Sequence, residues 1–196
     1  DLRPALSEEV KGMILAELAF SPGLAFQVVR GDLLKEPVDA IVNAANAHLA
    51  HGGGVAGIIS RAAGPALQAE CDQIVRERGP LPTGSAVASG AGKLAFKGVI
   101  HAVGPRQGEG DEERKLVRAI GAAFRCARDA GWTTLSFPAV SSGIFAVPLP
   151  VCARAYDAAV RGWYEAQPAG PLRLIRLCLR DEPVIEAVLA ELGLRP

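Results

Sequence analysis

Two kinds of apolar pattern alternate along this chain. Short, nearly unbroken apolar runs read as buried strands, and longer stretches with apolar residues every three or four positions read as helices. The strand-like runs are Ala25 to Val29, Val38 to Val42, Ser85 to Ala88, Gly98 to Val103, Thr133 to Phe137 and Leu172 to Leu179. Helical spacing runs over Val55 to Ala63, Asp111 to Ala130, Pro150 to Trp163 and Pro183 to Leu192. Pro65 opens a further helix over Ala66 to Arg78, and Gly131 ends the long one before it. Near the start, Ser7-Glu8-Glu9 has the form of a capped first turn, with Val10, Met13, Ile14 and Leu18 at helical spacing behind it. That predicts an N-terminal helix, followed by a turn over Phe20 to Leu24 that contains Pro22-Gly23. Strands alternating with helices predict a layered α/β domain with helices on both faces of a sheet.

No internal repeat divides the chain, and Gln167 to Pro171 is too close to the end to link a second domain. The expectation is one domain over residues 1–196, with a core over about 24–194 and residues 1–23 as a helical extension. Composition adds little to this but excludes much. The chain is 49% apolar, so a large core is available. Lys plus Arg and Asp plus Glu number 21 each, so the overall charge calls for neither nucleic acid nor an anionic membrane surface. No apolar run reaches the length of a membrane span, and no secretory leader is visible. Cys71, Cys126, Cys152 and Cys178 are widely separated and form no C-x-x-C pair. They read as reduced thiols, and the chain as a cytoplasmic monomer.

The chemistry concentrates in two loops that each follow a strand and open a helix. The first begins at Asn43-Ala44-Ala45-Asn46 and continues through His51-Gly52-Gly53-Gly54-Val55. Three consecutive glycines leave backbone N–H groups bare, and the helix dipole adds to their pull on an anion. Asn43 and Asn46 supply neutral amides beside that site, which suits a ligand carrying both phosphate and hydroxyl groups. The second loop, Ser141-Ser142-Gly143-Ile144-Phe145, repeats the logic. Ligands of open α/β sheets sit at the carboxyl ends of strands, between such loops. Two loops of this kind can hold a diphosphate from both sides. Phe145 could offer a flat face to a sugar or base, although ordinary core packing is the more common role for such a residue. Asp32, in Gly31-Asp32-Leu33, can accept from an exocyclic amine or serve as a turn cap.

Other motifs fail on spacing. Gly90-Ala91-Gly92-Lys93-Leu94 lacks the first glycine and the hydroxyl of a P-loop. No G-x-S-x-G accompanies the His51-Gly52-Gly53-Gly54 run. His48, His51 and His101 have no zinc-binding spacing, and no Cys or acid completes a set in sequence. His101 reads as a hydrogen-bonded core residue. His51 adjoins the glycine loop, within reach of a ribose or phosphate.

Taken together, Gly31-Asp32-Leu33, Val38 to Asn46, Gly52 to Val55, Ile100 to Pro105 and Phe137 to Phe145 resemble the macrodomain family, the ADP-ribose-binding α/β modules. The segment His51 to Gly57 resembles the viral-type members. The resemblance implies a three-layer α/β/α fold with a central mixed sheet. It implies that Asp32 binds the adenine amine with help from the Leu33 backbone. Gly52, Gly53, Gly54 and Val55 would hold the diphosphate together with Ser141, Ser142, Gly143, Ile144 and Phe145. Asn46 would bind the distal ribose and carry the catalytic role, with Phe145 packed beside it. The expected partner is ADP-ribose or a mono-ADP-ribosylated protein, with no cofactor and no metal. The family contains metal-independent hydrolases that remove mono-ADP-ribose and readers that only bind it. This chain departs from one hydrolase subgroup, with Ala56 in place of Asp and Ser60 in place of His. Ala146 also stands where many members have Gly. Viral-type members share the Ala and are still hydrolases, so hydrolysis is the leading expectation and a reader module the alternative.

Overall fold

The computed structural model describes residues 12–20, 23–166 and 170–194. Its strands are β1 (Met13–Phe20), β2 (Leu24–Arg30), β3 (Ala40–Ala45), β4 (Ala86–Ser89), β5 (Gly98–Val103), β6 (Thr134–Phe137) and β7 (Leu174–Leu179). Its helices are α1 (Gly54–Ala63), α2 (Pro65–Arg78), α3 (Glu112–Asp129), α4 (Leu149–Ala166) and α5 (Glu182–Glu191). The strands form one sheet in the order β1-β2-β7-β6-β3-β5-β4. The five central strands run parallel, and β1 and β4 close the two edges antiparallel.

Successive side chains of a strand leave on opposite faces, and the core divides accordingly. Ala40 and Val42 of β3 and Ile100 and Ala102 of β5 join one cluster with Leu116 and Ile120 of α3, Tyr156 of α4 and Ile185 of α5. Ile41 and Ala45 of β3 and Val99 and Val103 of β5 join another with Ile59 of α1 and Leu67 of α2. The result is the three-layer α/β/α arrangement, with the mixed sheet in the middle.

Where a helix is expected over Met13, Ile14 and Leu18, the described residues form a strand. Met13 to Phe20 form β1, while Ser7 to Val10 lie outside the described residues. The composition of Met13 to Phe20 suits a helix, but beyond the register shift near Leu15 the period that packs is two: Ala16, Leu18 and Phe20 lie against the core. Without β1, β2 would be an exposed edge of the sheet. Pairing with that edge overrides local helix preference. Gly23, at φ +100°, makes the reversal between the two strands.

Because the central strands are parallel, their carboxyl ends share one edge of the sheet. Residues 31–36, the segment before α1 and the segment before α4 all emerge there. Among the described residues, no helix is long and apolar enough to cross a membrane.

Candidate ligand-binding site

A cavity of about 640 Å³ opens along that edge. Gly31 to Leu34 line one side, Ala44 to Asn46 the floor, Gly52 to Ala56 and Pro138 to Phe145 the two opposing walls. The volume suits a small-molecule ligand of drug size or somewhat larger.

The wall from the first loop is backbone. Gly53 caps α1 with no side-chain hydrogen bond, so the first-turn N–H groups have no side-chain acceptor at the cap. Gly54 sits at φ +56°, a conformation that glycine takes without strain. The approach to this loop is clamped by Asn46. Its Oδ1 accepts from the N–H groups of His48 and Ala50, at 3.1 Å each, and its Nδ2 donates to Ala50 O at 2.9 Å. Inside the clamp, Leu49 takes φ +52° and buries its side chain in the α1/α2 core.

The wall from the second loop is built differently. Ser142 Oγ donates to Ala139 O at 2.7 Å, and the N–H groups of Ala146 and Val147 donate to Gly143 O and Ser141 O at 2.9 Å each. Among the described residues, the N–H groups of Gly143, Ile144 and Phe145 meet no acceptor. Ser141 and Ala146 adopt φ +67° and +56°, and Ser141 Oγ is buried without a partner. Gly104 permits this: a Cβ there would collide with Ser141 Oγ. Ile144 is 81% exposed and reaches toward the glycine loop, its Cδ1 3.9 Å from where a Cβ of Gly53 would stand.

At the far end of the cavity, Asp32 Oδ1 accepts from Leu34 N at 3.0 Å and caps a short 3-10 turn over Leu33–Lys35. Glu36 then plunges into the protein. Its carboxylate accepts from Arg176 Nε at 2.6 Å and from Ser136 Oγ at 2.9 Å. The pair is almost wholly buried and holds the Asp32 segment to the sheet.

Two expected ligand contacts are not in the lining. Asn43 is fully buried on β3, and its Nδ2 lies 3.1 Å from His101 Nδ1 on the paired strand. It is an odd-numbered residue of β3 and so points into the α1/α2 layer, not along the strand end. His51 turns the same way: its Nδ1 donates to Gln68 Oε1 of α2 at 2.5 Å. His101 is the buried, hydrogen-bonded core residue expected. Burial, with His51 nearby, holds its pKa down at about 3, so it is neutral. Folding also brings Cys71 of α2 within 3.4 Å of His101 Nε2, a neighbour that sequence spacing did not reveal.

The cavity also includes residues that sequence reasoning missed. The Arg106 guanidinium lies over the Phe145 ring, 4.7 Å from its centroid. Leu179 at the end of β7, and Arg180 and Asp181 just beyond it, also line the cavity. The rule that pointed to the other strand ends applies equally to β7 and could have found them.

Residues 42–156 match the family model described as Macro domain. The chain belongs to the Macro domain family. A macro domain-containing protein of Listeria monocytogenes is 39% identical over 157 residues, 79% of this chain and 89% of its own length. A Thermotoga maritima protein is 43% identical over 92% of this chain, and human protein mono-ADP-ribosyltransferase PARP14 is 41% identical over 85%. This macrodomain spans only 31% of the Thermotoga protein and 10% of PARP14. Among solved structures, a point mutant of the Oceanobacillus iheyensis macrodomain with ADPR superposes with a TM-score of 0.82 at 27% identity, covering 91% of this chain and 97% of that one. The Trypanosoma brucei macrodomain in complex with ADP-ribose gives 0.80 at 26% identity, covering 96% and 79%.

Proposed function

We propose that this macrodomain binds ADP-ribose and hydrolyses mono-ADP-ribose from modified proteins. The observation that carries the reading is the pair of opposed loops, both offering backbone N–H groups to one cavity at the carboxyl edge of a parallel sheet. A diphosphate between them meets donors from both sides, with the α1 dipole behind one. Asp32 keeps its second carboxylate oxygen for the adenine amine, and the Leu33 backbone stands next to it. Asn46, at the end of β3, has one Nδ2 hydrogen beyond its clamp for the distal ribose, beside Phe145. The ligands of the Oceanobacillus and Trypanosoma macrodomains support this assignment.

Asn46 is a neutral amide and cannot serve as a general base, so its part in turnover is to position the ribose and an attacking water. Ala56 favours a second reading, a reader without turnover. It lines the cavity on α1 and supplies no carboxylate to a water. One experiment separates the two. Incubation with a mono-ADP-ribosylated acceptor, with calorimetry on ADP-ribose in parallel, should show micromolar binding and time-dependent release. Binding without release from Glu-, Asp- or Ser-linked acceptors establishes the reader. No saturable heat at millimolar ADP-ribose overturns both.

A further inference from the structure

Behind the glycine loop, on the α1/α2 side of the sheet, lies a second cluster that the ADP-ribose cavity does not use. His51, Cys71 and His101 each bring a ligand atom to within 4.8 Å of the others. None of them lines the cavity. They come from the loop before α1, from α2 and from β5, so only the tertiary fold assembles them.

The hydrogen bonds around the cluster define its chemistry. Gln68 Nε2 donates to Leu49 O at 3.2 Å and to Asp72 Oδ1 at 2.8 Å, which fixes its Oε1 as the atom facing His51. His51 Nδ1 therefore carries the proton, and Nε2 carries a lone pair. That Nε2 is buried and has no partner. A histidine whose other ring nitrogen donates to a fixed carbonyl is set up as a metal ligand. On the opposite side, Asn43 Oδ1 is also buried without a partner. Cys71 Sγ and His101 Nε2 stand 3.4 Å apart, close to the separation of two ligands on one tetrahedral zinc ion, about 3.5 Å from ordinary Zn–S and Zn–N bond lengths.

We propose that His51, Cys71 and His101 form a binding site for one Zn²⁺ ion, distinct from the ADP-ribose cavity. Two imidazoles and a thiolate match the preference of this borderline-soft ion. Ser89 Oγ, 2.9 Å from His101 Nε2, is the nearest further oxygen for the fourth position. Proton balance is simple. The Cys71 thiol loses its proton to solvent as the Zn–S bond forms. His51 binds through its existing lone pair. In His101 the proton moves from Nε2 to Nδ1, where a rotated Asn43 amide accepts it through Oδ1. One proton leaves per ion bound. Glu70 and Asp72 flank Cys71 on α2 and offset the added positive charge. Burial and these two carboxylates otherwise hold the thiol protonated, its pKa raised to about 12, so the metal must supply the driving force for its ionisation.

The test is a titration of the whole chain, stripped with chelator, with Co²⁺ and then Zn²⁺. The expected result is one Co²⁺ per chain, a thiolate-to-cobalt charge-transfer band, its loss on adding one equivalent of Zn²⁺, and release of one proton. His51→Gln, at the rim of the cluster, should weaken Zn²⁺ binding at least tenfold, and Cys71→Ser should remove the band. Cys126→Ser, on α3, should leave it intact. No saturable thiolate band in the unaltered chain overturns the proposal. So does a His51→Gln protein that folds and binds both ions as tightly as its parent, even if Cys71→Ser does not fold.

Discussion

The two walls of the cavity stand on different foundations. The first loop stands on an amide and an imidazole: Asn43 and His101 lie beneath it, and His51 leads into it. The second stands on a phenol. Tyr156 Oη of α4, fully buried, donates to Pro138 O at 2.6 Å and accepts from Val140 N at 3.4 Å. Burial pushes that phenol above its ordinary range, so it keeps its proton through neutral and acid pH. The loops also differ in strain. The first places left-handed residues at Gly54 and at Leu49, which the Asn46 clamp holds, whereas the second asks this of Ser141 and Ala146. A shared function at the cavity thus need not mean a shared response to acid or to mutation.

The largest expected effect is on the first wall alone. Gly53 is extended and exposed, with only Ile144 Cδ1 near its missing Cβ, so Gly53→Glu should fold normally. Its carboxylate would occupy the anion's place and repel it. ADP-ribose affinity should drop at least about a hundredfold, roughly 3 kcal/mol, by calorimetry. Normal binding by the variant would remove the phosphate role from this loop.

Acid should divide the two foundations. An unfolded histidine titrates near 6.5, and buried His101 at about 3. Between these values the unfolded chain takes up a proton that the folded chain refuses, so stability falls as pH falls, by up to about 1.4 kcal/mol per unit. Above about 6.5 this dependence vanishes. Denaturant melts at pH 7 and pH 5, in chelator, should differ by about 2 kcal/mol. His101→Gln should flatten the difference, and Tyr156→Phe should leave it unchanged. Equal slopes in all three proteins would mean that the first foundation is no more acid-sensitive than the second.

Truncating the supports should expose both loops more gently. Tyr156→Phe removes the donor to Pro138 O and should cost about 1–3 kcal/mol in denaturant melts. Asn46→Ala opens the clamp around Leu49, costing stability by about 1 kcal/mol. It should also weaken ADP-ribose binding, and slow any hydrolysis more than it weakens binding. An unchanged melting point for Asn46→Ala would show that the first loop holds its shape without the clamp.

The smallest effect concerns strain in the second wall. Ala146→Gly relieves a left-handed alanine at φ +56° and should stabilise by up to about 1 kcal/mol, less the added freedom of glycine in the unfolded chain. A destabilised variant would argue that the position is not strained.

What could be read in advance follows the same divide between local and tertiary causes. The alternation of strands and helices was legible because buried parallel strands are nearly continuous apolar runs, as in Val38 to Val42 and Gly98 to Val103. Both cavity loops were legible because bare backbone needs glycine or small residues in sequence. Met13 to Phe20 misled because its residues favour a helix and only pairing with β2 makes it a strand. Asn43 misled although strand alternation with Ile41 and Ala45 places it on the α1/α2 face, and His51 misled because its direction is set by Gln68 of α2, distant in sequence. The neighbours Cys71 of His101 and Arg106 of Phe145 are matters of packing between distant segments, and spacing alone does not carry them.

The Glu36–Arg176 pair gives the two ends of the cavity different dependence on ionic strength. Dissolved ions screen exposed charges beyond about 10 Å at 0.1 M salt and more closely as salt rises, but they do not reach a pair enclosed by protein. The segment bearing Asp32 should therefore keep its shape in molar salt, while the attraction for a diphosphate proposed for the two exposed loops would fade. Under those conditions the site would keep hold of a nucleoside at one end after losing its grip on the anion at the other.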